Sequence, residues 1–410
     1  MSDPILTDNR ISEPHQNDVQ PRRRSQFGAI GILTAGCFLA ALVSALMLGA
    51  VAVVTSYEHN GTRDFVEYWA AGVQLVHGQN PYDVDAIWKL EKSAGSRFPV
   101  VLMNPPFIMS IVAPLGVLDS VAAARWWLLL QIVSCAASFL AIASAFKKTT
   151  AIMVSLLGLC FAPILICILI GQIGVFLLLG IALFLALHAK QPFLAGAVLL
   201  PCAMKPHLFV PFAIVLLVWV IKQRAYRLLA GFVASIVLSA SVAYWFDPQI
   251  WRHWIDFLHF SQPANTPIWN ISRILRLAIG PQLPSVQFVP VLAASGWSIW
   301  HFRKQQHSWS WIDQGLFVLL LSVVCAPYSW LTDEAVLLPC LVAAVHHAQN
   351  NGRSLLPLAA MMATASLELI SGRWIDTGAL VWTAPAWLAF YLYATRKNRP
   401  DVSDAVRQLT

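Results

Sequence analysis

Charge is scarce in this sequence. Lys, Arg, Asp and Glu make up 11% of its 410 residues, while apolar residues make up 58%. A soluble domain carries roughly 25% charged and 45–50% apolar residues, so a soluble fold is excluded. The short alternating segments of a transmembrane β-barrel are also missing. Cysteine is sparse: all seven lie in apolar stretches without C-x-x-C or metal-ligand spacing, and read as small hydrophobic side chains of a bundle. There is no Walker loop and no G-x-G-x-x-G following a strand, which disfavours ATP and nucleotide-sugar donors. No metal-ligand cluster is read either; His253 and His259 share no clean helical face. The net charge is +7, but no basic stripe lies on a soluble domain, so nucleic acid is not a partner.

What is present is a series of long apolar stretches. A membrane-spanning helix needs about 20 mainly apolar residues, and the chain reads as an all-α polytopic membrane protein. The expected spans are about 28–54, 121–146, 150–170, 172–188, 191–204, 207–221, 226–246, 286–300, 314–328, 331–347, 355–371 and 377–394. That makes about twelve transmembrane helices with both termini cytoplasmic. Residues 1–27 read as a disordered cytoplasmic tail ending in Arg22-Arg23-Arg24, 28–395 as the transmembrane domain, and 396–410 as a cytoplasmic tail. Residues 55–118 form a first outer loop and 247–285 a second large one. The stretch 101–118 is apolar but broken by Pro105, Pro106 and Pro114. Read as re-entrant or interfacial, it leaves Lys147-Lys148, Lys190, Lys222, Arg224, Arg227, Arg303-Lys304, Arg353 and Arg396-Lys397-Arg399 on the cytoplasmic face, as the positive-inside rule asks.

With this topology the polar features gather on the outer face. Asp64 and Glu67 follow the first span, with Arg63 beside them, and the helical face Asp64, Tyr68, Ala71, Leu75 suits a helix lying at the interface. A partly desolvated carboxylate at a membrane edge is a good proton acceptor; an ordinary helix N-cap is the plainer alternative. Glu67 is assigned to a solvated face. Lys205, in Met-Lys-Pro-His between two apolar runs, either snorkels to the interface or meets an anion. Asp333 and Glu334 open a span after Thr332, which could cap it. Gln172 and Asn270 are donors suited to hydroxyl groups, or helix caps. His207 reads as a loop partner. Glu368 is the one acidic residue that looks placed within a span. A transporter or flippase of a lipid-linked or amphiphilic substrate is the alternative to an enzyme, and a non-catalytic subunit of an envelope complex a third reading. The lack of internal repeats counts against a transporter.

Taken in order, the motifs resemble the family 87 membrane glycosyltransferases of the GT-C superfamily, which include bacterial polyprenyl-phosphate-mannose-dependent α-mannosyltransferases. The residues that carry the resemblance are Asp64-Phe-Val-Glu-Tyr-Trp-Ala-Ala, Gly78-Gln-Asn-Pro-Tyr82, Asn104-Pro105-Pro106-Phe107 with Pro114-Leu115, Gly171-Gln172, Lys205-Pro206, Asn270-x-Ser272 with Arg276, and Pro327-x-Ser329-Trp330. Two positions depart from the family pattern: Asn104 stands where Tyr is usual, and Ile170 where Asn commonly precedes Gly-Gln. The resemblance implies a GT-C-like bundle in a cell (inner) membrane with its site on the outer, periplasmic face. It implies a polyprenyl-phosphate sugar donor, a lipid or glycan acceptor, and inverting single displacement of a hexose, with mannose first in line. Asp64 would be the general base. Lys205, then Arg273 or Arg276, would bind the donor phosphate. Gln172, Asn270, Trp330, Asp333 and Tyr68 would contact sugar or acceptor. No cofactor is implied, and a divalent ion is left open.

Overall fold

The computed structural model describes residues 31–48, 50, 64–146, 149–261, 268–371 and 378–396. Residues 1–30, Arg63, Lys147-Lys148 and 397–410 lie outside the described residues. Among the described residues the chain is entirely helical, without a strand, as its composition demands. The chain runs through α1 (Gly31–Leu48), α2 (Phe65–Val76), α3 (Val84–Ser93), α4 (Pro106–Val117) and α5 (Ser120–Ala145). It continues through α6 (Ala151–Leu159), α7 (Ala162–Ile170), α8 (Gly174–Leu187), α9 (Pro192–Met204) and α10 (Val210–Lys222). Next come α11 (Tyr226–Phe246), α12 (Ile250–Ser261), α13 (Ile271–Ile279) and α14 (Val289–Gln305). The chain ends with α15 (Trp311–Val324), α16 (Leu331–Asn350), α17 (Leu356–Ile370) and α18 (Thr383–Thr395).

Helices stand at all twelve expected places, but many are shorter than expected. By length and composition α1, α5, α11 and α16 can each cross a membrane, and α6 with α7 makes a fifth candidate bent by 67°. Pro163 in the first turn of α7 accounts for that bend. In α9 the apolar run continues from Ala197 to Met204, while the backbone tightens into a 3₁₀ turn at Leu200–Met204. Hydropathy reads side chains and passes over such breaks. Glu368 lies in the last turn of α17, where its Oε2 accepts a hydrogen bond from Trp382 Nε1 at 3.2 Å; it caps the end of a span rather than its middle.

Burial orders the bundle. α16 is 89% buried, whereas α1 and α11 are 22% buried and turn side chains such as Leu46, Val237 and Leu238 outward. α16 is therefore the central helix, and the outer two present apolar faces suited to lipid. α2 differs from an interfacial helix: Phe65, Tyr68 and Ala71 are buried, and Tyr68 stacks on Trp127 of α5 at 5.2 Å. The amphipathic helix of this loop is α3. α4 packs against α2 with no side chain between them. A Cβ on Gly116 would lie 2.2 Å from the backbone of Gly72, so both positions require glycine. Trp69 Nε1 donates to Leu118 O at 3.0 Å and fixes the end of α4.

Candidate active site

Four chain segments meet at one end of the bundle around a cavity of about 580 Å³. The α7–α8 turn brings the first group. Gly171 adopts φ +78, a left-handed conformation that glycine reaches without strain. Trp127 Nε1 donates to Gly171 O at 2.8 Å, and Gln131 Nε2 donates to Gln172 O at 2.8 Å. These two bonds from α5 lock the turn and hold the Gln172 side chain toward the cavity.

Asp64 stands at the head of α2, its N–H donating to Ile170 O at 2.9 Å. Gln172 Nε2 donates to Asp64 Oδ2 at 2.9 Å. The amide oxygen of Gln172 accepts from Tyr68 Oη at 3.0 Å and from Lys205 Nζ at 3.2 Å. Lys205 lies between the 3₁₀ end of α9 and Pro206, and its Nζ also donates to Asp333 Oδ1 at 2.7 Å. Asp333 Oδ2 accepts from Trp330 N at 2.8 Å, so Asp333, not Thr332, caps α16. Burial pulls the Lys205 ammonium toward its neutral form, but Asp333 outweighs that pull and the net shift is upward. The lysine is a fixed cation.

Seven of the nine expected site residues, Asp64, Tyr68, Gln172, Lys205, Asn270, Trp330 and Asp333, line this cavity. Arg273 and Arg276 do not. Arg273 lies over the Trp269 ring at 5.7 Å. Arg276 donates to Pro281 O at 2.9 Å and to Gln287 Oε1 at 3.3 Å, which ties α13 to the loop after it. Asn270 is the N-cap of α13, accepting from Arg273 N at 2.8 Å, so its carbonyl is committed to the helix. Asp83-Val84-Asp85 is an Asp-x-Asp sequence, but Asp83 caps α3 and neither residue reaches the cavity. Among the described residues no group of three or more His, Cys, Asp or Glu side chains is arranged to hold a metal.

Other cavity residues were given no role at the site by the sequence. Glu67 is not on a solvated face. It is 4% exposed and lines the cavity; burial, and then Asp64 beside it, push its carboxyl well above the usual range. The i, i+3 spacing from Asp64 was the available signal, since such residues are neighbours on a helix. His207 also lines the cavity, with its ring on Tyr328 at 4.2 Å; burial lowers it to about 4, so it is a neutral imidazole. Asn104 Nδ2 donates to Met204 O at 2.9 Å, and Asn104 O accepts from Tyr82 Oη at 2.8 Å. That residue links the first outer loop to Lys205. Glu334 points away from solvent into α18, where Thr383 and Trp387 each donate to it at 2.8 Å. The lining thus combines these charged and polar groups with apolar side chains, among them Trp254, Leu258, Trp269, Leu380 and Val381.

Comparison with curated proteins and with solved structures gives no match. The family comparison does. Residues 102–327 match glycosyltransferase family 87, a stretch that includes Gln172, Lys205 and Asn270, while Asp64 and Asp333 come to the same cavity from outside it. Since the match covers more than half of the 410 residues, this all-helical membrane protein belongs to glycosyltransferase family 87.

Proposed function

We propose that the enzyme transfers a hexose, with mannose the first candidate, from a polyprenyl-phosphate donor to a lipid or glycan acceptor by a single inverting displacement. The observation that carries this reading is that a carboxylate (Asp64) and a cation (Lys205) face one cavity and are joined through one side chain, Gln172. Asp64 takes the proton of the acceptor hydroxyl. The oxygen forms its bond to the sugar's anomeric carbon as the bond to the phosphate oxygen breaks. The electron pair leaves on the lipid phosphate, where Lys205 stabilises the charge. Preorganised charge of this kind is often the largest contribution to catalysis. The apolar lining residues suit the start of a lipid chain, and the polar ones suit sugar hydroxyls.

The site is assigned to the outer face of the membrane. α8 and α10 begin near the cavity and run to Lys190 and Lys222, and α16 runs to Arg353. Basic residues at the far ends agree with a cytoplasmic placement. Family membership decides for a transferase over a transporter. Purified protein tested with mannosyl, glucosyl and arabinosyl polyprenyl phosphates should use one of them. Asp64→Asn should keep the fold and lose about 10²–10⁴ in rate. A variant that transfers at the native rate removes Asp64 as the base, and a native protein inert toward every such donor removes the donor class.

A further inference from the structure

We propose that Gln172 is a positioning residue for Asp64 and does not itself bind sugar, contrary to the expectation from sequence. Its amide decides which of two adjacent buried carboxyls, Asp64 or Glu67, stays ionised. The inference rests on the reading of Asp64 as the general base.

The orientation of the amide follows from its neighbours. An ammonium has three donors and no acceptor. Lys205 Nζ, 3.2 Å away, can therefore only meet the oxygen of Gln172. Tyr68 Oη donates to the same oxygen at 3.0 Å, so both of its lone pairs are taken. The nitrogen end must then face Asp64 Oδ2, at 2.9 Å. The opposite orientation would set a carbonyl against a carboxylate and an NH₂ against an ammonium. The backbone of Gln172 is held as well: its N–H donates to Cys167 O at 2.9 Å and its carbonyl accepts from Gln131. Of the groups on this side chain, one N–H is left for anything else.

The consequence concerns protons. Asp64 and Glu67 are one helical turn apart, and both are buried. Two carboxyls so placed resist joint ionisation. A hydrogen bond donated to a carboxylate favours its charged form, and Gln172 donates one to Asp64. Glu67 in turn meets the Lys205 charge and the Tyr68 hydroxyl, which favour its charged form, but burial and Asp64 outweigh them and its carboxyl is raised. The proton is favoured on Glu67, which leaves Asp64 as the acceptor. Environments that push two carboxyls apart are the usual basis of acid and base assignments.

The test uses the full-length purified protein with Gln172→Leu, which keeps the bulk and removes both ends of the amide. Dicyclohexylcarbodiimide modifies protonated carboxyls in apolar sites, and peptide mass spectrometry reads Asp64 and Glu67 separately. The half-modification pH of Asp64 should rise by about one unit, the value of one hydrogen bond to a charged group. The acid limb of kcat should move with it, and kcat should fall roughly tenfold or more with donor KM little changed. Tyr68→Phe keeps the ring on Trp127 and removes one of the two donors to the amide oxygen; it should give a smaller shift in the same direction, and serves if the leucine variant does not fold. An unchanged Asp64 half-modification pH overturns the proposal. So does a raised donor KM at unchanged kcat, which would make Gln172 a substrate contact. The labelling reads the Gln172–Asp64 coupling whether or not sugar is transferred, so a wrong donor class and a wrong role for Gln172 give different results.

Discussion

Lys205 Nζ lies 2.7 Å from Asp333 Oδ1, and their side chains are 15% and 5% exposed. The pair joins the α9–α10 turn to the start of the central helix. Removing one partner of a buried pair leaves the other charge uncompensated, which costs about 3–5 kcal/mol. Lys205→Met and Asp333→Leu should each lower the melting temperature in detergent. The double variant should recover much of that loss, since an apolar replacement of a buried pair is often neutral. All three should lack transferase activity, because none has both the cation and its anchor. If the double variant melts as low as either single one, the charge argument fails and packing explains the loss.

Glu67 predicts a substitution without effect. Burial and the neighbouring Asp64 hold its carboxyl well above the usual range, which favours its protonated form. Glutamine copies a protonated glutamate in size and hydrogen bonding. Glu67→Gln should keep near-native stability and activity at pH 7. Asp64→Gln, one turn earlier, should not. A loss of activity in Glu67→Gln comparable with that of the Asp64 variant would show that Glu67 works as an ionised group.

Glu91 predicts a pH dependence of stability. Its side chain is fully buried, Oε2 accepts from Val100 N at 3.1 Å, and Oε1 has no hydrogen-bond partner. Burial raises the carboxyl from 4.5 to about 7. Folding therefore favours the protonated form. The stabilisation is complete below the unfolded value and is lost as pH rises through the folded one. The melting temperature should fall as pH is raised from about 4.5 to 7, and Glu91→Gln should flatten that decline. An equal decline in both proteins would assign the effect to other groups.

The fold was largely legible because apolar runs and basic loop residues are direct marks of the bilayer. Helix ends were not, because the 3₁₀ end of α9 and the Phe161–Pro163 break carry side chains as apolar as the helices around them. At the site, Asp64, Gln172, Lys205 and Asp333 were legible as polar exceptions at the ends of apolar runs. Arg273 and Arg276 misled for the same reason: a charge near the right loop says nothing of the side on which it lies. Arg276 turns to Gln287, and the residue that decides this is eleven positions further along the chain. Glu334 is another case, since its partners Thr383 and Trp387 sit on the last helix. Contacts of that range leave no local periodicity.

His207 should be silent in the pH profile. It lines the cavity next to Lys205, but burial lowers it to about 4. Between pH 5.5 and 8 its ring stays neutral, so an ionisation seen in kcat near the ordinary histidine value of about 6.5 should persist in His207→Gln. If that ionisation vanishes in the variant, His207 is protonated during turnover and the anion it faces is closer than the cavity geometry suggests.

The contact between α2 and α4 yields a prediction about how Asp64 is aimed. A Cβ on Gly116 would stand 2.2 Å from the carbonyl carbon and oxygen of Gly72 and 2.6 Å from Val73 N. All three are backbone atoms, so α2 must move as a unit to make room, and Asp64 and Tyr68 move with it. Gly116→Ala should cost about 1–3 kcal/mol, as overpacking does, and should lower kcat more than the stability loss alone explains. Gly296 is the control. It lies within α14, and a Cβ there meets nothing within 4 Å. Gly296→Ala should raise stability by up to about 1 kcal/mol through helix propensity and leave kcat unchanged. The two alanines have opposite signs because one position lies against backbone and the other is open. If Gly116→Ala is as well tolerated as Gly296→Ala, α4 does not press on α2, and the aim of Asp64 must come from the α7–α8 turn alone.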